Sequence, residues 1–306
     1  MSSGSRRYRV EELVGQLKGD YRLEGDPRGL WVDHVGAVFD ADEHALVWVS
    51  AQRPDKRALI QQTGARVILC DPTTALEDGC PGKCLIKVEN PQLAFARLAL
   101  AIFAAPRVKA GIHPSAIVHP EAQIDPTAWI GPFCQIERCE VGAGSWLDGH
   151  ITVNDRVRIG RNVFIKAGAR LGGEGFGSLR NEQGIFEPFP HFGGLVIRDN
   201  VHIGCNVVID RGTLGNTTVG EGSQINSLTL IGHNVQIGQH VLVGANCGIF
   251  GGSKVGDFTT IWNSSTVFDG LSIGSRVVVG AGSLVTRDVR DGAQIRGAPA
   301  REIIRH

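Results

Sequence analysis

An aliphatic residue recurs at every sixth position through the later part of the chain. Twelve such residues stand in unbroken register: Val219, Ile225, Ile231, Ile237, Val243, Ile249, Val255, Ile261, Val267, Ile273, Val279 and Val285. An earlier run begins at Ile112, slips by one residue at Val141 and continues to Leu171, and a shorter run occupies 197–209. A period of six matches neither the 3.6-residue helix nor the two-residue alternation of a hairpin ladder. The pattern therefore predicts short strands separated by tight turns.

Three such hexads, with one strand each, would close a triangular coil of 18 residues around their aliphatic side chains. Glycine, at 41 of 306 residues, and asparagine supply the turn conformations that most residues resist. Successive coils would pair their backbone groups at a spacing of about 4.8 Å. We therefore predict a mainly β chain that forms a parallel β-helix of triangular section. The period does not determine the hand of the coil.

The six-residue period is absent from the first part of the chain, where a mixed α/β pattern replaces it. VEELVGQLKG and NPQLAFARLALAIF have the spacing of helices, and LVWVS and ARVILC that of buried strands. We expect a small α/β domain over residues 1–105 and a β-helix domain over residues 106–306. Two segments interrupt the repeat, namely a loop insertion at 172–194 and DRGTLGNTT after Ile209. A regular solenoid often has its specificity in such interruptions.

The charge balance argues against nucleic acid and membranes as partners, and the cysteine spacing argues against a structural zinc site. Lys and Arg total 31 against 31 Asp and Glu, so no overall positive field attracts nucleic acid or an anionic membrane. No apolar stretch is long enough for stable membrane insertion, and we expect a cytoplasmic protein. The seven cysteines are odd in number and lack the paired spacing of structural zinc sites. They are expected to be reduced thiols, with no metal bound.

Several segments together resemble one family, the UDP-3-O-(3-hydroxyacyl)glucosamine N-acyltransferases of lipid A and lipopolysaccharide biosynthesis. They are ENPQLAFARLALAIF, IHPSAIVHPEAQI, GGEGFG, VVIDRGTLGNTTVG and LIGHNVQIG. The resemblance implies a left-handed hexapeptide-repeat prism, a homotrimer with its active sites between subunits, and an N-terminal domain that binds a nucleotide. It also implies acyl transfer from a phosphopantetheine thioester, on acyl carrier protein or coenzyme A, to the amine of a nucleotide-linked amino sugar. No cofactor beyond that thioester co-substrate is expected.

Acyl transfer to an amine needs a base that removes a proton and a donor for the oxyanion. By the resemblance, His233 in LIGHNVQIG is the general base. Gly251 follows it by 18 residues, or one coil, so the two are expected along the same edge of the prism. The backbone N–H of Gly251 is a candidate oxyanion donor, and its missing β-carbon would admit a thioester. A plain turn glycine is the alternative interpretation.

Six further residues are expected to contact substrate: Trp48, His191, Asp210, Arg211, Asn226 and Ser227. Trp48 is an aromatic candidate for stacking on the nucleotide base. Asp210 and Arg211 match the family's IDRG segment, with a structural pair in a turn as the alternative. His191 lies in the loop insertion, which is expected to reach a neighbouring subunit's groove and cover the acyl or phosphopantetheine arm.

Three departures from the family pattern keep other functions open. Gly270 stands where a second histidine is expected, Pro54 and Asp55 stand where a second aromatic for the base is expected, and the chain ends in RGAPAREIIRH as short hexapeptide acetyltransferases do. These departures favour a short or medium acyl group. The alternatives are a short-chain acyl-coenzyme A sugar acyltransferase outside lipid A synthesis, a zinc carbonic anhydrase-like protein, and a non-catalytic hexapeptide protein. No two histidines within 200–290 are five residues apart, which disfavours the zinc enzyme.

Overall fold

The computed structural model describes residues 6–75, 81–104 and 109–302. The chain divides into two compact units, Met1–Arg107 and Val108–His306. The domain boundary predicted at residues 105–106 and the last four residues of RGAPAREIIRH lie outside the described ranges.

The first unit is a small α/β domain built on a five-stranded sheet. In spatial order its strands are Arg22–Glu24, Cys84–Lys87, Val67–Cys70, Ala45–Trp48 and His34–Val35. The first of these pairs antiparallel with its neighbour, and the other pairs are parallel. A separate antiparallel pair joins Tyr8–Arg9 to Trp31–Val32.

The helices of the first unit are Val10–Val14, Lys56–Gln62 and Pro91–Leu98, and the last of them continues as a π-helix over Ala99–Phe103. The first helix is shorter than VEELVGQLKG predicts, because glycine at positions 15 and 19 disfavours its continuation. The third begins where the side chain of Asn90 accepts the N–H of Leu93 at 3.0 Å, with proline in the first turn. Among the described helices, none is long and apolar enough to cross a membrane.

The second unit is a parallel β-helix with three faces, each a sheet of short strands. The first face has the strands Gly111–Ile112, Trp129–Ile130, Trp146–Leu147, Phe164–Ile165, His202–Ile203, Gln224–Ile225, Leu242–Val243, Thr260–Ile261, Val278–Val279, Gln294–Arg296 and Arg301–Glu302. The second has Ile117–Val118, Gln135–Ile136, Thr152–Val153, Arg170–Gly173, Val208–Asp210, Leu230–Ile231, Gly248–Ile249, Thr266–Val267 and Leu284–Val285. The third has Gln123–Ile124, Glu140–Val141, Val157–Ile159, Gly194–Ile197, Asn216–Val219, Gln236–Ile237, Lys254–Val255 and Ser272–Ile273. All neighbours are parallel except the last two strands of the first face.

The interior of the prism explains the hexad. Its aliphatic residues from Ile130 onward are buried in one continuous core along the coil axis, whereas Ile112 at the start of the repeat is 47% exposed. Small residues at the corners add a hydroxyl ladder: the Thr229 hydroxyl donates to the Gly244 carbonyl at 2.9 Å and accepts the N–H of Cys247 at 3.3 Å. Ser223 and Thr259 repeat this arrangement. Each such hydroxyl satisfies backbone groups that the turn would otherwise leave buried without partners. The predicted mainly β parallel β-helix is therefore confirmed.

The interruptions of the period become local changes in the coil. The slip before Val141 leaves Ile124 paired with Val141, so the core register continues. The insertion at 172–194 contains an antiparallel hairpin of Ser178–Arg180 with Phe186–Pro188. The segment after Ile209 enlarges one coil without breaking the sheet, because Ile197 still pairs with Val219. Both extra segments begin after a strand of the second face and end at a strand of the third face, so they lie at the corner between these two faces.

Candidate functional site

One corner of the prism, between the second and third faces, stacks most of the predicted site residues. We call it the site corner and define it by residues 172–173, 210–211, 232–233 and 250–251. The pairing of Gly173 with Asp210 joins its first two levels. The pairings of Ile209 with Ile231 and of Ile231 with Ile249 join the others. Residues distant in sequence therefore stand one sheet spacing apart.

The imidazole of His233 has a defined tautomer. Its Nδ1 lies 3.2 Å from Oδ1 of Asn234. That oxygen also accepts the backbone N–H of Thr213 at 3.0 Å and the Thr213 hydroxyl at 2.8 Å. A backbone N–H only donates, so the amide atom is the oxygen, and the oxygen requires a proton on Nδ1. The lone pair of His233 is therefore on Nε2, which leaves that atom free to accept a proton.

Asn234 can hold this position because its backbone is left-handed, with φ of 60°. Asparagine is among the few residues that adopt this conformation readily. Its own N–H donates to the Thr217 hydroxyl at 2.9 Å, which ties the turn to the coil below. The turn that presents His233 is thus fixed from both sides.

Gly251 packs directly on the Nε2 edge of His233. A β-carbon on residue 251 would lie 2.6 Å from Nε2 and 2.7 Å from Cε1 of that ring. The backbone there is outside the left-handed region, so glycine is required for space and not for conformation. The N–H of Gly252 donates to the His233 carbonyl at 2.8 Å and holds the two levels together. The structure brings the expected base and the expected glycine into contact.

The loop insertion covers the other side of the His233 ring. His191 is 3% exposed, and its ring meets that of His233 edge to face, with centroids 5.3 Å apart and planes at 71°. A β-carbon on Gly175 would lie 3.0 Å from Nε2 of His191 and 3.2 Å from Cβ of His233. Burial lowers the pKa of His191, and the nearby charge of His233 lowers it further. His191 thus folds onto its own chain, whereas Phe176, 95% exposed, projects away from it.

Asp210 and Arg211 have different roles at the site corner. Burial raises the pKa of Asp210 to about 6, against the opposing effect of the charge on His233. The Nε of Arg211 donates to the Gly172 carbonyl at 2.7 Å, and its backbone N–H donates to the Gly173 carbonyl at 2.8 Å. Arg211 therefore anchors the GGEGFG segment, while the Asp210 carboxyl lies within electrostatic range of the imidazole.

Two family models match the prism, and a relative matched over most of both chains shows the family. The bacterial transferase hexapeptide model, of six repeats, matches residues 216–251, and the hexapeptide repeat of succinyl-transferase matches residues 262–287. The UDP-3-O-acylglucosamine N-acyltransferase of Pseudomonas paraeruginosa is 36% identical over 303 residues, which cover 93% of this chain and 83% of that protein. The chain belongs to the UDP-3-O-acylglucosamine N-acyltransferase family.

Other relatives agree with this assignment over shorter spans. The protein of the same name from Pseudomonas syringae pv. tomato is 35% identical over 216 residues, or 64% of this chain, and the match spans 60% of that protein's length. Among solved structures, the Francisella novicida UDP-N-acetylglucosamine acyltransferase superposes with a TM-score of 0.59 at 27% identity, covering 63% of this chain and 70% of that one. This member of the UDP-3-O-acylglucosamine N-acyltransferase family is thus an acyltransferase.

In this UDP-3-O-acylglucosamine N-acyltransferase family member, two predicted contacts of the second unit lie away from the site corner, and a third predicted contact belongs to the first unit. Asn226 and Ser227 are at the corner between the first and second faces, where the Ser227 hydroxyl accepts the Cys205 N–H at 3.0 Å. Asn226 accepts the N–H of Ser227 at 2.7 Å, so both shape that turn. Trp48 belongs to the first unit, half-buried at the end of its strand, with its ring 6.4 Å from that of Phe95.

The next coil after Gly251 has Gly270 at its turn, so residue 270 places no side chain beside the His233 imidazole. Gly270 is in the left-handed region, with φ of 71°, and its N–H donates to the Gly251 carbonyl at 2.9 Å. A β-carbon there would meet no atom within 4 Å. Among the described residues, no group of three or more His, Cys, Asp or Glu side chains is arranged to hold a metal ion.

Sequence reasoning missed Asn234 and Gly175. Asn234 sets the tautomer of His233, yet asparagine also fills the left-handed turn position at 162, 200, 206 and 246. Its identity alone therefore signals a turn. Gly175 belongs to the GGEGFG segment of the family resemblance, but no spacing rule indicates its contact with His191 and His233, because that contact is made by a non-repetitive loop.

Proposed function

We propose that this protein transfers an acyl group from a phosphopantetheine thioester to the amine of a nucleotide-linked amino sugar in lipid A synthesis, with His233 as the general base. The relatives are named for UDP-3-O-acylglucosamine, so a 3-O-acylated UDP-glucosamine is the proposed acceptor. The observation that carries the proposal is the free Nε2 of His233 facing a residue without a side chain. That arrangement presents a proton acceptor beside space for a carbonyl.

The chemistry follows from this geometry. The amine nitrogen attacks the thioester carbonyl, a C–N bond forms, and the π pair moves to the carbonyl oxygen. Nε2 of His233 takes one proton from nitrogen, while the backbone N–H of Gly251 stabilises the oxyanion. The C–S bond then breaks, and the imidazolium returns the proton to the leaving sulfur. No cofactor takes part beyond the thioester itself.

Asp210 supports the charge that appears on His233 in this cycle. A carboxylate in electrostatic range stabilises the imidazolium, and a half-buried environment strengthens that interaction. Its raised pKa of about 6 leaves the carboxylate ionised at and above neutral pH. The carboxylate is therefore already ionised at the higher pH at which an amine acceptor loses its proton.

We further propose that the enzyme acts as a cytoplasmic homotrimer. The outer surface of the first face carries a ladder of aromatic rings formed by His113, Trp129, Trp146, Phe164 and His202. The rings of Trp129 and Trp146 are 5.7 Å apart. Such a surface is suited to burial against copies of itself around a threefold axis. The first unit, with Trp48, is proposed to bind the nucleotide.

The donor is proposed to be a thioester on acyl carrier protein or coenzyme A, with a short or medium acyl chain. On the late coils, the half-exposed Phe268 and Leu271 offer apolar wall, whereas Val267 and Val285 point into the core. Each buried CH₂ contributes about 0.8 kcal/mol, so a long chain would need more wall than these two residues provide. Competition between donors of four to sixteen carbons tests this assignment.

The test of the base is the turnover of His233→Ala, followed by release of thiol and by mass spectrometry of the N-acylated product. Turnover should fall by about 10²–10⁴-fold, because general-base catalysis typically contributes that much. His240→Asn is the matched control, since His240 is an exposed turn histidine with a left-handed backbone that asparagine tolerates. Turnover of His233→Ala close to that of His240→Asn would reject the assignment.

A further inference from the structure

The two faces that meet at the site corner differ in polarity around His233. On the third face the outward residues are Thr218, Gln236 and Lys254, and the Thr218 hydroxyl donates to Oε1 of Gln236 at 2.7 Å. On the second face the strand that leads into the His233 turn presents Leu230, which is 37% exposed. A hydrocarbon chain that leaves the site corner therefore removes more apolar surface from water on the second face than on the third.

A phenyl ring extends the apolar surface of the second face. Gly248 takes the outward position of the strand that follows Leu230 in the sheet, and the ring of Phe250 folds back over it. A β-carbon on Gly248 would lie 3.0 Å from Cε1 and 3.3 Å from Cζ of that ring. The backbone at Gly248 is outside the left-handed region, so glycine is needed there for space. The ring therefore lies between Leu230 and Thr266, the outward residues of the two neighbouring strands.

This ring is next to the proposed position of the acyl carbonyl. Phe250 and Gly251 share a peptide bond, and the N–H of that peptide is the proposed oxyanion donor. Nε2 of His233 borders the same place, since it would lie 2.6 Å from a β-carbon on Gly251. The donor's acyl chain is bonded directly to the carbonyl, whereas the 3-O-acyl chain of the proposed acceptor starts several bonds from the attacking amine. The donor's chain is therefore the one that meets Phe250.

We propose that Phe250, in the space that Gly248 leaves open, holds the first carbons of the donor's acyl chain against the second face and so determines chain-length preference. This inference rests on the proposed function of His233. Phe268, one coil further on and 44% exposed, continues the apolar surface. Each CH₂ that the ring covers increases binding about fourfold, so the site favours acyl groups of several carbons over acetyl.

Two variants remove the ring from the second face in different ways. Phe250→Ala deletes the ring, whereas Gly248→Thr keeps it and places a side chain where it lies. Threonine suits that position, because Thr266 occupies it in the next strand of the same face. Gln135→Thr is the matched control, since Gln135 has the same outward position on an early strand of the second face.

Each full-length variant is assayed with the 2-amino sugar nucleotide and with acetyl, butyryl and octanoyl thioesters of acyl carrier protein and of coenzyme A. Mass spectrometry of the amide gives kcat/KM for each donor, and the chain-length ratio is the octanoyl value divided by the acetyl value. We expect Phe250→Ala to lower this ratio at least tenfold, because the ring covers about two CH₂ groups. Gly248→Thr should lower it at least threefold, and Gln135→Thr should stay within twofold of the wild type.

The outcomes separate this inference from the proposed function. An active wild type whose chain-length ratio changes less than threefold in Phe250→Ala would overturn the role of Phe250 alone. A wild type that transfers acetyl but neither longer group has the same meaning, as does an effect of Phe250→Ala that depends only on the acceptor's 3-O-acyl chain. Equal losses with all donors, together with dissociation of the assembly in sedimentation, would make the ring a subunit contact instead. A wild type that acylates no amine with any donor would overturn the proposed function.

Discussion

Replacing Gly251 by alanine tests the contact on which the proposed base depends. The new β-carbon would lie 2.6 Å from Nε2 of His233, while non-bonded heavy atoms settle at about 3.5–4.0 Å. The imidazole, at the end of a flexible side chain, would have to withdraw by about 1 Å. A displacement of that size costs about 10²-fold in rate when a reacting group is involved. We therefore expect kcat to fall by about two orders of magnitude.

The assay measures thiol release and amide product for Gly251→Ala beside Gly173→Ala, whose β-carbon meets open space. Thermal unfolding of Gly251→Ala should stay within a few degrees of wild type, since the ring can move without disturbing the core. In a His233→Ala background the same change should cost nothing further, because residues that act together are non-additive. A kcat above one third of wild type in the single variant would refute the reasoning.

The remaining predictions concern Asp210, Arg211, Ser227 and the assembly. Folding raises the pKa of Asp210 from 3.8 to about 6, so the folded state binds the proton more tightly than the unfolded state. The free energy of unfolding therefore falls as pH rises from about 4 to about 6. Asp210→Asn should therefore be more stable than wild type at pH 8, by up to about 3 kcal/mol, and equal to it below pH 4, as denaturant titrations at both values would show. Arg211→Met should raise hydrogen exchange in 172–177 without unfolding the prism, and unchanged exchange would contradict its anchoring role. Ser227→Ala should lower the free energy of unfolding by about 1–3 kcal/mol and leave kcat within twofold, because the change removes the acceptor of the Cys205 N–H. A large loss of kcat at unchanged stability would instead show that Ser227 contacts substrate. Sedimentation equilibrium should give a trimer of 32.8 kDa chains, and a stable monomer at micromolar concentration would contradict the proposed assembly.

The six-residue period was sufficient to predict the prism and the position of part of the site. The hexad predicts which residues enter the core, and the 18-residue coil predicts that Gly251 stands beside His233, as the structure shows. The same arithmetic places Ser227 six residues, or one face, before His233, which explains why the two are at different corners. The hand of the coil does not follow from the period and was inferred from family resemblance alone.

The pairing of His191 with His233 could not have been predicted from the sequence. The insertion at 172–194 has no period, so no spacing rule relates it to the coils below. Its path depends on Arg211 bonding to the carbonyls of Gly172 and Gly173, which are backbone contacts without a residue signature. For the same reason, the sequence led us to expect that His191 reaches another subunit, whereas in the structure its ring packs against His233 of the same chain.

The most direct test of the proposed function is to identify the bond that the enzyme makes. A thioester donor labelled with ¹³C at the carbonyl and an amino sugar nucleotide labelled with ¹⁵N at the amine would be incubated with wild type and with His233→Ala. We expect a one-bond ¹³C–¹⁵N coupling in the product of the wild type, and we expect the same product to form at least a hundred times more slowly with His233→Ala. Recovery of the label as an ester or free acid, or equal rates of amide formation in the two proteins, would contradict it.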